Sequence, residues 1–313
     1  MIVSVASVAA YAYMRQVDLP HYEQRLELHK QMVAGTAEAP YRYRILVPFA
    51  TEAVMRVLSV ALPLKYSFKL TYAIFDAAAI LFLLMILFAW FRIWFPRDRA
   101  LIGLLFVAAV MHMAFQDHYY QPWSLLEPGL FAAGLLAIFR KRYWLIAVIT
   151  AVATLNRETA VFIPLAFLFS NVDLGGGAPG GRFADGKKWL RPCVAYFLVW
   201  AVVYGALRLS LGSTPHMYTL RGIWAYNTSR RNIFFTPENV ILFLGAFWVF
   251  GAMGYRHAPA FLKRVAPIIP LYLLTILVLG AWREVRLLMP LYPLMVALGL
   301  CYIYRSDMKV DSP

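Results

Sequence analysis

Charge is scarce in this chain. Asp, Glu, Lys and Arg make up 15% of its 313 residues, against about a quarter in a soluble domain. Acids are scarcer than bases, 16 against 30. There are only two cysteines, Cys193 and Cys301. Both lie in apolar surroundings, so neither a disulfide framework nor a zinc-ligand spacing exists. No Gly-rich phosphate loop, nucleophile elbow or zinc-binding His-Glu-x-x-His occurs, which speaks against P-loop nucleotide chemistry. Alternating ten-residue segments of barrel type are missing as well. What remains is apolar: 62% hydrophobic residues and a mean hydropathy of +0.63.

These residues are grouped. Apolar segments fall at 2–14, 70–91, 100–115, 124–139, 143–155, 159–170, 189–210, 238–254, 265–281 and 287–304. Several approach the length that crosses a bilayer. They predict an all-α, polytopic transmembrane bundle of about ten spans forming one domain over 1–313. No basic stretch precedes residues 2–14, so they read as a retained first span rather than a cleaved signal. Residues 46–64 are apolar but carry Glu52 and Arg56 four apart, on one face. They predict an amphipathic helix at the membrane surface, inside a long first external loop, 15–69.

The net charge of +14 would suggest nucleic acid in a soluble protein. Here the basic residues sit in short clusters: Arg92, Arg97 and Arg99; Arg140, Lys141 and Arg142; Arg182, Lys187, Lys188 and Arg191; Arg256, Lys263 and Arg264; Arg305 and Lys309. Short basic loops stay cytoplasmic. No nucleic-acid partner is expected. The expected location is the plasma (inner) membrane, with both termini cytoplasmic. All these clusters share one side only if 143–170 is two short helices; a single tilted span is the alternative. The 171–188 loop, with its Gly-Gly-Gly-Ala-Pro-Gly-Gly run, reads as a flexible cytoplasmic linker, and 211–237 as a second external loop.

The residues able to do chemistry fall on the opposite, external side. Asp18, His21, Glu23, Glu27 and His29 follow the first span, and Asp117 and His118 end the third. Asn156, Arg157 and Glu158 join the two short helices, and Arg221, Arg230 and Arg231 sit in the 211–237 loop. Arg283, Glu284 and Arg286 precede the last span. A helix from 143 to 155 rises roughly 20 Å, less than the hydrocarbon thickness of about 30 Å. The 156–158 turn is therefore expected below the outer surface, lining a cavity or closing an Arg157–Glu158 ion pair. Asp76 is a second intramembrane acid, with Arg208 or a tyrosine as its expected partner. Arg283 and Arg286, three apart, can clamp a phosphate, with Glu284 fixing an arginine rotamer; snorkelling to the interface is the plain alternative. Asp117-His118-Tyr-Tyr offers an acid, a base and stacking rings, or simply an aromatic belt.

Four stretches, Arg15-Gln-Val-Asp18, Pro40-Tyr-Arg-Tyr-Arg-Ile-Leu-Val-Pro48, Leu155-Asn-Arg-Glu-Thr159 and Arg283-Glu-Val-Arg286 before Pro290, together with the span pattern, resemble the GT-C superfamily of membrane glycosyltransferases. The resemblance implies transfer of a sugar from a polyprenyl-phosphate donor to a lipid, glycan or protein acceptor at the extracytoplasmic face. It also implies an acid in the first external loop as base, which Asp18 matches. Asp117 and Glu158 complete the expected catalytic set. Tyr41, Arg42, Arg44, His118, Asn156, Arg157, Arg283, Glu284 and Arg286 are the expected substrate contacts. Where many members carry adjacent or alternate acids, this chain has Asp18-Leu-Pro-His-Tyr-Glu23. That favours metal-independent transfer with no cofactor, though a divalent metal is not excluded. The rival readings are an O-antigen polymerase or ligase, a non-catalytic assembly subunit, and a lipid or solute transporter. A transporter would show repeat symmetry and midplane polar residues reachable from both sides; no repeat is visible, and the charges cluster on one side.

Overall fold

The computed structural model describes residues 1–115, 121–172, 188–213, 216 and 219–307. Asp117, His118 and most of the 171–188 loop lie outside the described residues. Among the described residues the chain is helical, without a strand; Ala39 and His216 form an isolated parallel bridge. Among the described residues five helices are long and apolar enough to cross a membrane: Leu64–Phe91, Arg97–Phe115, Leu190–Leu211, Ala260–Leu279 and Val285–Ile303. A bent pair, Pro237–Leu244 and Phe247–His257, makes a sixth. The chain is thus a membrane protein of several apolar helices. The other four expected segments are helices of 12 to 14 residues, each about 18–21 Å long, so length alone does not make them spans.

The first helix, α1 (Ile2–Tyr13), runs into a π-helical turn, Met14–Asp18. Next come α2 (Tyr22–Val33) and α3 (Leu46–Leu58). In α2, Glu23 in the first turn and Lys30 in the last suit the helix dipole. The expected amphipathic helix is α3, with Glu52 and Arg56 paired on one face at 2.7 Å. It stops at Leu58 because Pro63 starts the next helix, α4 (Leu64–Phe91). At 28 residues α4 rises about 42 Å, well beyond the hydrocarbon thickness. Its first turns therefore continue past the apolar layer and give α2 and α3 a surface to pack on. Met32, Tyr41, Val47, Met55, Phe68, Tyr72 and Trp123 form that small second core.

The main bundle follows: α5 (Arg97–Met111), α6 (Leu126–Phe139), α7 (Tyr143–Asn156), α8 (Phe162–Asn171) and α9 (Leu190–Leu211). The 143–170 stretch is indeed two helices. Arg157 takes an extended conformation, φ −164° and ψ 145°, which interrupts the hydrogen-bond ladder between α7 and the turn Glu158–Val161. Beyond α9 lie α10 (Leu220–Asn227), α11 (Arg230–Leu244), α12 (Phe247–Gly254), α13 (Ala260–Val265), α14 (Ile268–Leu279) and α15 (Tyr292–Ile303). The span expected at 238–254 is broken. Gly245, at φ +50°, separates two arms bent by 62°, a conformation glycine adopts without a Cβ penalty.

The bundle is built around its last helix. The window through Val285–Ile303 is 89% buried, against 11% for α9. The α12–α15 contact is close because its surfaces are small: a methyl at Gly254 would overlap the Leu298 carbonyl, and one at Gly299 the Phe247 ring. Such small-residue seams are how helices approach in lipid.

Candidate functional site: two ion-pair clusters and an apolar groove

The first cluster gathers where α1 ends. The π-helical turn carries Asp18 to the Arg25 guanidinium of α2, and the two form an ion pair. Asp76, about two and a half turns beyond Ser67, the first buried residue of α4, reaches the same guanidinium with Oδ2 at 3.5 Å. Arg25 is 3% exposed. Its guanidinium lies 4.7 Å from the Tyr72 ring centroid and 5.9 Å from that of Tyr13. One cation thus serves two carboxylates. The expectation for Asp76 fails on the side of Arg208, which lies elsewhere.

The second cluster forms at the α7–α8 break. Glu158 takes two N–H groups of Arg44, at 3.3 and 2.6 Å, a fork geometry that holds a carboxylate strongly. Arg44 also donates to Gln121 Oε1 at 3.3 Å and covers the Trp123 ring at 5.4 Å; Gln121 in turn donates to the Tyr41 hydroxyl. Arg157 does not pair with its neighbour Glu158 as expected. With its backbone extended, it points into the bundle and donates to Glu127 Oε2 at 2.5 Å, while the Thr159 hydroxyl takes Oε1. The Asn156 amide donates to the Trp123 carbonyl. Around Glu127, Asn156, Arg157 and Tyr272 lies a cavity of about 20 Å³, room for a single water. Trp123 beneath Arg44 and Tyr72 beside Arg25 belong to one apolar cluster, which touches both polar ones.

The third feature is apolar. A groove of about 590 Å³ runs between α11 and α14, lined by Ile233, Val240, Leu273, Leu277 and Trp282 among others. Glu284 and Leu288 line it too. Glu284 is held by Arg286, as the sequence suggested for an arginine-fixing acid. Arg286 is 1% exposed, and its Nε and Nη1 have no hydrogen-bond partner in the structure. Arg286 and Arg25 both lie within electrostatic range of the Tyr13 hydroxyl. Arg283 is half-buried with an unpartnered Nε, and no ion pair holds it to a carboxylate among the described residues.

Sequence reasoning missed Arg25, Glu127 and Gln121. Glu127 left a signal, an acid inside the apolar segment 124–139. Arg25 left none, since it is one charge among many in a mixed polar helix. Asp117 and His118 lie outside the described residues. Among the described residues no group of three or more His, Cys, Asp or Glu is placed to hold a metal ion. The chain matches no protein-family profile, no curated protein and no solved structure.

His29 ties the loop helices to α4. Its Nδ1 is 2.9 Å from the Tyr72 hydroxyl and its Nε2 3.1 Å from Glu52. Burial holds its pKa below the usual imidazole value, although Glu52 works in the opposite direction. A folded pKa below the unfolded one means the unfolded chain binds more protons as pH falls. This stabilising contribution is complete above about pH 6.5, the unfolded value, and is lost as pH drops through the folded value. The thermal midpoint is therefore expected to fall on acidification from about pH 7 to pH 5, and His29→Gln to flatten that slope. An unchanged slope in the variant would assign the acid sensitivity to another group.

Proposed function

We propose that this chain is a membrane glycosyltransferase. It takes a sugar from a polyprenyl-phosphate donor and passes it to a lipid, glycan or protein acceptor at the extracytoplasmic face of the plasma membrane, with both termini cytoplasmic. The observation that carries the reading is the groove of about 590 Å³ whose lining is apolar except at Glu284, the residue that holds Arg286. An apolar groove whose one carboxylate is held by a buried arginine suits a substrate with an isoprenoid tail and a phosphate head. The tail is favoured by burial of apolar area. The phosphate is favoured by the free Nε and Nη1 of Arg286, which become charge-assisted donors.

The Asp18 cluster supplies the acid–base part. Asp18, Asp76 and Arg25 carry two negative charges and one positive, so the cluster can accept a proton without losing its internal ion pair. In the transfer, the acceptor hydroxyl oxygen forms the new bond to the sugar's anomeric carbon. The bond from that carbon to the donor phosphate breaks, the hydroxyl proton goes to Asp18, and the leaving phosphate keeps the electron pair opposite Arg286. The arginine acts as fixed positive charge where negative charge develops.

The test is transfer of labelled sugar from polyprenyl phosphate in proteoliposomes. Arg286→Met keeps the apolar stem and removes the donors, and is expected to lower the rate by about 100-fold while the protein still elutes as a single folded species. Transfer at the wild-type rate by that variant would end the assignment of Arg286.

A further inference from the structure

Two arginines stand apart from the clusters above. Arg25, Arg44, Arg157 and Arg286 are each paired with a carboxylate. Among the described residues Arg42 and Arg208 take part in no ion pair, and the Nε of each has no hydrogen-bond partner. They meet at the end of α9. The Arg208 guanidinium lies 3.8 Å from the Tyr43 ring centroid and 5.0 Å from that of Tyr204. The Tyr43 hydroxyl donates to the Gly212 carbonyl at 2.9 Å. A Cβ on Gly212 would come 4.0 Å from Arg42 Nη2, which places the second guanidinium over the same helix end. Rings against its faces leave a guanidinium its N–H edge for hydrogen bonding.

The setting names the ligand. Of the five span-length helices α9 is the least covered by protein, 11% buried, with Leu198, Val202 and Leu209 at 57%, 67% and 87% exposure. It faces lipid. Its 22 residues rise about 33 Å, so the last turn, where Arg208 sits, falls at the depth of lipid phosphates. Two guanidiniums without an ion-pair partner among the described residues, at that depth beside a lipid-facing helix, call for an anion delivered by the membrane itself.

We propose that Arg42 and Arg208 form a binding site for the phosphate of a membrane-anchored lipid, separate from the groove at Glu284. The phosphate oxygens accept from the guanidinium edges, and the chain lies along Leu198 and Val202. The site does not depend on glycosyl transfer. Either an anionic phospholipid or a polyprenyl phosphate carries the required chemistry.

Native mass spectrometry of the full detergent-solubilised chain tests this, with phosphatidylglycerol, phosphatidylcholine and polyprenyl phosphate as probes in separate arms. Retention of phosphatidylglycerol or polyprenyl phosphate is expected, with whichever is held more tightly naming the source. Arg42→Gln and Arg208→Gln are each expected to reduce it about tenfold. Arg42→Gln leaves the Tyr43–Arg208–Tyr204 stack intact and so separates loss of binding from loss of folding. Equal retention of phosphatidylcholine, or retention unchanged in Arg42→Gln, overturns the proposal.

Discussion

Arg25→Met is expected to destabilise the protein by about 3–5 kcal/mol, read as a large drop in the thermal midpoint by fluorescence-detected size exclusion. Methionine keeps the apolar stem of the side chain, so packing against Tyr13 and Tyr72 changes little. What disappears is the only cation among the described residues that is paired with Asp18 and Asp76. Asp76 is 1% exposed and cannot turn to water. Two carboxylates are then left facing each other in a medium that solvates neither. Adding Asp76→Asn to Arg25→Met removes one orphaned charge and is expected to restore part of the loss. The exposed partner of the other loop ion pair supplies a reference. Arg56 is 73% exposed in its pair with Glu52, and Arg56→Ala is expected to cost less than about 1 kcal/mol. A midpoint for Arg25→Met as high as that of Arg56→Ala would show that Arg25 is not the keystone of the cluster.

How much of this was legible in the sequence follows from the range of the interactions involved. Apolar runs exceed the length of a helix turn many times over, so the segments 70–91, 189–210 and 287–304 could be read from hydropathy alone, whereas the first turns of α4, residues 64–69, read as loop. The amphipathic α3 and its Glu52–Arg56 pair were legible because four-residue spacing is a local rule. The break at Arg157 was legible because three polar residues interrupt an apolar run. Partner choice was not. Arg157 turns away from adjacent Glu158 towards Glu127, 30 positions earlier, and Glu158 takes Arg44, 114 positions away. Such pairings depend on how helices dock, and no spacing rule carries them. The bend at Gly245 was hidden for a related reason: one glycine within an apolar segment reads equally well as a packing site, and only its positive φ makes it a hinge.

Those long-range pairings change the chemistry available at the polar end. The sequence invited Arg157, Arg283 and Arg286 to act together on a phosphate. In the structure Arg157 is committed to Glu127, and Arg283 has no ion pair among the described residues. Arg286 alone combines deep burial, a groove-lining carboxylate partner and free donors. The cluster also offers two acids where the sequence suggested one. Asp18 and Asp76 share Arg25, yet they differ in access: the Asp18 side chain is 13% exposed and that of Asp76 2%. A proton acceptor has to come within hydrogen-bond reach of the hydroxyl it serves, so access chooses Asp18.

Asp18→Asn is accordingly expected to lower sugar transfer by about 100- to 10,000-fold, with the thermal midpoint close to wild type, because the amide oxygen still accepts from Arg25 and Asp76 still balances its charge. Asp76→Asn is expected to have a smaller effect on transfer. It removes the excess negative charge, which leaves Asp18 as the sole counter-charge of Arg25. An arginine facing a single carboxylate holds it more firmly ionised and makes it a weaker base. The rate at neutral pH should then fall less than in Asp18→Asn. If Asp76→Asn abolishes transfer while Asp18→Asn retains it, the two roles are reversed, and the acceptor hydroxyl approaches along α4 rather than from the π-helical turn. If neither changes transfer, the cluster is a brace that fastens the loop helices to the bundle, and proton acceptance passes to Glu158, whose side chain is 38% exposed in its pair with Arg44.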